Sequence, residues 1–177
     1  MAADGPLFAP SNRHRVTTHE MEQAMSFDVS YAITRHLPST TLPVARELVT
    51  AALKEEGFGV LTEIDVQGTL EKKLGVHTEP YLILGACNPK LAHQALSCEP
   101  AIGLLLPCNV VLAQTGADVV VSAASPRAMF GVVGEAGAPA LSPIAEEAEA
   151  RLRRVMDKVQ PVTRAATANE PARARPS

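Results

Sequence analysis

Two cysteine–asparagine pairs lie against prolines in the most apolar part of this chain: Ala86-Cys87-Asn88-Pro89 and Pro107-Cys108-Asn109-Val110. A thiol in such a place can act as a nucleophile, a redox sensor or a metal ligand, and the thiolate is the reactive form in each case. Cys87 falls where an apolar run gives way to Asn88-Pro89, a helix-start signal. The N–H groups and positive potential of a helix start favour thiolate and lower a cysteine's pKa. The competing reading is a small buried hydrophobe that closes the strand–helix junction, because free cysteine is among the most buried residue types. Cys108 follows Pro107 in mid-strand, where proline implies an edge or a bulge that re-aims side chains. Asn109 is the one amide between Ile102 and Ala113, and once buried it must be hydrogen-bonded.

The remaining polar residues carry less. Cys98 sits near a helix C-terminus, where the dipole disfavours thiolate, and reads as packing. His77 and His93 complete a ligand set with the cysteines only through long-range folding, and no short C-x-x-C spacing is present, so no metal site is assigned. Glu63 and Asp65 share one strand face about 6.5–7 Å apart. Paired carboxylates can serve acid–base chemistry, but a solvated face accounts for them as well. Lys72 and Lys73 could rim an anion near Gly75, or simply be exposed. Phosphate-loop, dinucleotide, zinc-protease and serine-hydrolase signatures are absent, and the glycine-rich stretch from Gly131 to Gly137 reads as a loop. No catalytic residue and no cofactor is identified.

Composition narrows the partners. The 177 residues carry a net charge of −3, too small a field to select nucleic acid or an anionic membrane. Aromatics are 3% of the chain and Trp is absent, which disfavours stacking on single-stranded nucleic acid. Three widely spaced cysteines do not form a disulfide framework. The first 26 residues hold no apolar signal core, and no apolar run reaches the ~18 residues of a spanning helix. The expectation is a cytoplasmic protein.

The elements that must position the cysteines follow from changes of period. Residues 1–26 form a polar lead, disordered or upstream of a true start at Met25, and residues 160–177 form a disordered tail. Residues 27–159 form one domain. Val29, Tyr31 and Ile33 alternate as a first strand. Ser39, Thr40 or Thr41 caps a helix whose stripe is Ala45, Leu48, Val49, Ala52 and Leu53, ending at Gly57. Phe58 to Val66 alternates as a half-buried strand, and Thr69 to Gly75 forms a short basic helix. Tyr81 to Cys87 is a strand buried on both faces. Asn88 caps a helix whose inner face is Leu91, Ala92, Ala95 and Leu96. Ile102 to Gln114 is a long strand interrupted at Pro107, joined through Thr115–Asp118 to a hairpin partner, Val119 to Ala123. A last helix starts at Ser142-Pro143, with Ile144, Ala148, Leu152, Val155 and Val159 on one face and Glu147–Arg151 and Glu149–Arg153 as i,i+4 pairs. The fold class is α+β: a largely antiparallel sheet with helices packed on one face, ferredoxin-like or a related split β-α-β.

The segments 57–66, 70–76, 83–89 and 99–110, extended by Val120-Val121-Ser122-Ala123, Pro126 and Met129, resemble the domain of unknown function 302 family. The resemblance spans about residues 28–159. It implies a small α+β domain that forms a homodimer, and it implies no activity. Its motif residues fall on Cys87, Asn88, Pro89, Glu99, Pro100, Pro107, Cys108 and Asn109. Relatives tend to carry an acidic residue where this chain has His77.

The expected function is a binding or assembly module rather than an enzyme. It would be dimeric, with a small-ligand pocket near Cys87, Asn88, Cys108, Asn109 and Glu99, and without nucleic acid or membrane as partner. The alternative is a thiol-redox, sulfur-carrying or metal-binding protein that uses Cys87 and Cys108.

Overall fold

The computed structural model describes residues 27–133 and 138–161; the polar lead and most of the tail lie outside them. Five strands are β1 (Ala32–Leu37), β2 (Gly59–Asp65), β3 (Tyr81–Cys87), β4 (Cys108–Thr115) and β5 (Asp118–Ala124). Five α-helices are α1 (Leu42–Glu55), α2 (Val66–Leu74), α3 (Pro89–Cys98), α4 (Pro126–Phe130) and α5 (Ala138–Lys158). A 3-10 helix, Pro100–Leu105, joins α3 to β4.

The strands form one sheet in the order β1-β5-β4-β3-β2, and every neighbouring pair is antiparallel. Four antiparallel steps leave β1 and β2 pointing the same way at opposite edges. The first β-α-β unit is therefore split by three strands, and the α+β class stands.

One face of the sheet holds the main core. Ile33 and Leu37, Leu82, Leu84 and Ala86, Val110 and Leu112, and Val119, Val121 and Ala123 alternate onto it, as a period of two requires. Ala45, Val49, Ala52 and Leu53 of α1 and Leu152, Val155 and Met156 of α5 pack against them. A smaller cluster joins Ala95 of α3, Ile102, Phe130 of α4, and Leu141 and Ala145 of α5. The opposite face differs. Ile64, Ile83, Val111, Ala113, Val120 and Ser122 point outward, and none of them joins either cluster.

Several expected boundaries move. The first strand begins at Ala32, because Val29 to Tyr31 form a turn in which the Ala32 amide donates to the Val29 carbonyl at 3.2 Å. β2 does not keep one buried face: a bulge between Val60 and Thr62 resets the alternation, so Val60 and Glu63 face the helices while Ile64 faces out. The basic helix starts three residues early, at Val66. The Asp65 carboxylate caps it by accepting from the Gly68 amide at 2.9 Å. Ile102 to Leu106 is not strand. Glu99 caps the 3-10 helix there, accepting from the Ala101 amide at 2.9 Å. Pro107, after a cis peptide bond, directly precedes β4, so Cys108 begins the strand rather than sitting in its middle. The last helix runs back to Ala138 with Pro143 inside it. Leu96 is exposed rather than inward, and Cys98 is exposed rather than packed. The glycine-rich stretch begins as a short 3-10 turn, Gly131–Val133, and its remainder lies outside the described residues.

Candidate functional site

The β3–α3 junction is built as its sequence suggests. β3 ends at Cys87, Asn88 is the N-cap, and Pro89 opens α3. The Asn88 carboxamide oxygen accepts from the Leu91 amide at 3.3 Å, while its Nδ2 donates to the Glu56 carbonyl at 3.5 Å. Gly57, at φ +80°, brings that carbonyl within reach, and a Cβ there would stand 3.0 Å from Asn88 Nδ2. Arg151 of α5 donates to the same carbonyl at 3.2 Å. Asn88 therefore ties the ends of α1, α3 and β3 together.

Cys108 is paired one position along the ladder, opposite Ala86. This places the two cysteines at one end of neighbouring strands, and both residues contribute to one crevice walled by Phe58, Leu91, Leu106, Phe130 and Ile144. Its volume is about 20 Å³, room for a single water. A second cleft adjoins it, with a volume of about 140 Å³. Leu104 to Asn109, Ala124, Pro126, Met129 and Phe130 line this one. It matches the size of an apolar cavity that takes up benzene. Cys108 borders both spaces.

The electrostatics differ from the sequence expectation. Burial pushes the Cys87 thiol up from its ordinary value, despite the helix start beside it. Burial, and then the neighbouring Cys87, push Cys108 up to about 11. Apolar walls penalise the charged form, and Asn88 spends its hydrogen bonds on backbone rather than on sulfur. At neutral pH Cys108 is held as the thiol. Iodoacetamide at neutral pH is therefore expected to label exposed Cys98 first, Cys87 slowly and Cys108 last. Faster labelling of Cys87 than of Cys98, read by peptide mass spectrometry, would contradict this order.

The other candidates separate. Asn109 is exposed, not buried, and lines the larger cleft. Glu99 lines neither space, and its carboxylate serves the 3-10 helix. Glu63 and Asp65 do not work as a pair: Glu63 accepts three hydrogen bonds from Arg46, the shortest 2.7 Å, and Asp65 caps α2. His93 is exposed. Among the described residues, no group of three or more His, Cys, Asp or Glu side chains is placed to hold a metal ion. No helix among the described residues is long and apolar enough to cross a membrane.

Sequence reasoning missed the residues that shape the cleft. Leu104 to Leu106 look like strand, and no element is assigned to Pro126–Phe130 by sequence. The available signals were two Ser/Glu-Pro helix starts, Ser125-Pro126 and Glu99-Pro100, which the structure uses as caps.

The profile of the family described as domain of unknown function DUF302 matches residues 33–159. The chain belongs to the DUF302 family. A crystal structure of an uncharacterized conserved DUF302 protein from Bacillus stearothermophilus is 30% identical, with a TM-score of 0.68. The likeness covers 74% of this chain and 99% of that one. No curated protein matches the chain. The span matched to DUF302 holds both Cys-Asn motifs and all of the sheet but Ala32.

Proposed function

We propose that this DUF302 domain is a binding and assembly module that works as a homodimer and holds a small, mostly apolar ligand beside Cys108 and Asn109. The observation that carries this reading is the outward sheet face. Between Tyr81 and Cys87, Asn109 and Ala113, and Val120 and Ala124, its outward positions hold no charged side chain. Its central polar pair is already satisfied: Thr34 and Ser122 share a hydrogen bond of 3.0 Å, and Thr34 also donates to the Phe27 carbonyl at 2.8 Å. Ala113, Val120 and Ser122 are already buried within the chain, so the part-exposed Ile83 and Val111 supply the apolar contact that a second copy would cover. Asn109 and Cys87 alternate onto this same side, so a second copy would lie across the mouth of the cleft.

The ligand reading rests on the cleft's size and lining, with Asn109 supplying the hydrogen bond that orients a guest. The thiol reading has one supporting observation, that Cys87 and Cys108 border one crevice. The raised thiol pKa values weigh against an activated nucleophile.

Native mass measurement of the full chain tests the proposal. Twice the 18.7 kDa chain mass is expected, together with any small species carried along. Val111→Arg, at the centre of the outward face, is expected to give a folded monomer by circular dichroism. A wild-type protein that is monomeric at every concentration would sink the dimer, and a dimer indifferent to Val111→Arg would move the interface elsewhere.

A further inference from the structure

A further cavity lies at the opposite end of β3 from the cysteines. It has a volume of about 570 Å³, within the range of small-molecule sites. Val66 and Leu70 of α2 form one wall, Pro80 and the Tyr81 ring a second, and His77 and Glu79 stand at the rim. α2 contributes no buried residue to the fold, although Val66, Leu70 and Leu74 recur every four positions as an apolar stripe. Val66 and Leu70 of this stripe line the cavity, and Leu74 is exposed.

The loop that closes the cavity is held in shape. Gln67 of α2 donates to the Thr78 carbonyl at 2.6 Å, and the Pro80 carbonyl accepts from the Gln114 amide at 2.9 Å. His77 Nδ1 lies 3.3 Å from the Glu71 carboxylate. Among the lining residues, the Thr78 and Tyr81 hydroxyls and the exposed Glu79 carboxylate make no side-chain hydrogen bond or ion pair within the described residues. Burial also pushes the Tyr81 phenol up, which keeps it a neutral hydrogen-bond group.

We infer that this cavity binds a small amphipathic cation, a primary amine on an aliphatic or aromatic body. The body packs on Val66, Leu70 and Pro80, the ammonium meets Glu79, and the electron-rich face of Tyr81 favours the same charge. Glu71 lies against His77 and does not line the cavity, so Glu79 is the one carboxylate among the lining residues.

The test uses the full chain and two probes with similar bodies and opposite charge, phenethylamine and 3-phenylpropionate, followed by NMR. Phenethylamine is expected to shift the Val66, Leu70 and Tyr81 resonances saturably and to leave Cys87 and Asn109 unmoved. Phenylpropionate is expected to bind about fivefold more weakly or worse, and Glu79→Gln to weaken the amine by about fivefold, as an exposed ion pair allows. A melting temperature unchanged in Glu79→Gln separates this from unfolding. Equal binding of the two probes, an unaffected Glu79→Gln variant, or no saturable shift would overturn the inference and leave the Cys108 cleft untouched.

Discussion

Gly85→Ala is expected to destabilise the domain by about 1–3 kcal/mol, as over-packing does. Gly85 lies in β3 opposite Asn109 of β4, on the outward face. A Cβ there would collide with Thr62 Oγ1 of β2 and would stand 2.8 Å from Pro107 Cγ. The threonine can rotate away. The proline ring cannot, because it is fixed to the start of β4. Alanine would otherwise gain roughly 0.5–1 kcal/mol from a stiffer unfolded chain, so overlap must exceed that for the predicted sign. The relief route shifts Pro107 and with it Cys108, so the effect reaches the cleft. Chemical denaturation reads the stability loss. Repeating it with Thr62→Ala in the background separates the two overlaps. A variant as stable as the wild type would show that Gly85 is not a packing requirement.

Glu56→Gln is expected to cost about 1–2 kcal/mol at neutral pH. Glu56 is buried, with its carboxylate 2.7 Å from Lys158 Nζ and 2.9 Å from Arg154 Nε. Fully buried pairs lose about 3–5 kcal/mol when one partner goes. Here the two cations are 42% and 49% exposed, and solvent screening brings the figure down. The hydrogen bonds from Lys158 and then Arg154 hold the Glu56 carboxyl below its ordinary value of 4.5. A carboxyl lowered by folding contributes stability above the unfolded value and loses it as pH falls through the folded one. The gap between wild type and Glu56→Gln should therefore be full at neutral pH and close on acidification below 4.5. Thermal melts across that range check it, and a gap independent of pH would assign the loss to packing alone.

What could be read in advance depended on how local the signal was. Asn88-Pro89, Gly57 and the Gly116 turn encode their conformations within a few residues, and the structure places a cap, a left-handed residue and a hairpin there. The pairs Glu147–Arg151 and Glu149–Arg153 are likewise local, and both measure 2.6 Å. Ile102 to Leu106 was misread because an apolar run has no period of its own, and Glu99-Pro100 outweighs strand propensity. The β2 bulge was invisible because register against β3 decides it. The thiol pKa values failed for the same reason. A helix start is legible in sequence, whereas the walls from Phe58, Phe130 and Ile144 come from distant elements. Glu56 gave no signal, since both its cations lie about a hundred residues away.

The strand order has a consequence for how the chain assembles. β3, β4 and β5 form a meander of neighbours in sequence, and β2 closes on β3 across one short helix. β1 has only β5 to pair with, so the first strand of the sheet to be synthesised has no strand partner until Asp118–Ala124 has emerged. The first strand in sequence is thus the one whose partner lies farthest along the chain. Loop-closure entropy makes that long-range pairing the slow step.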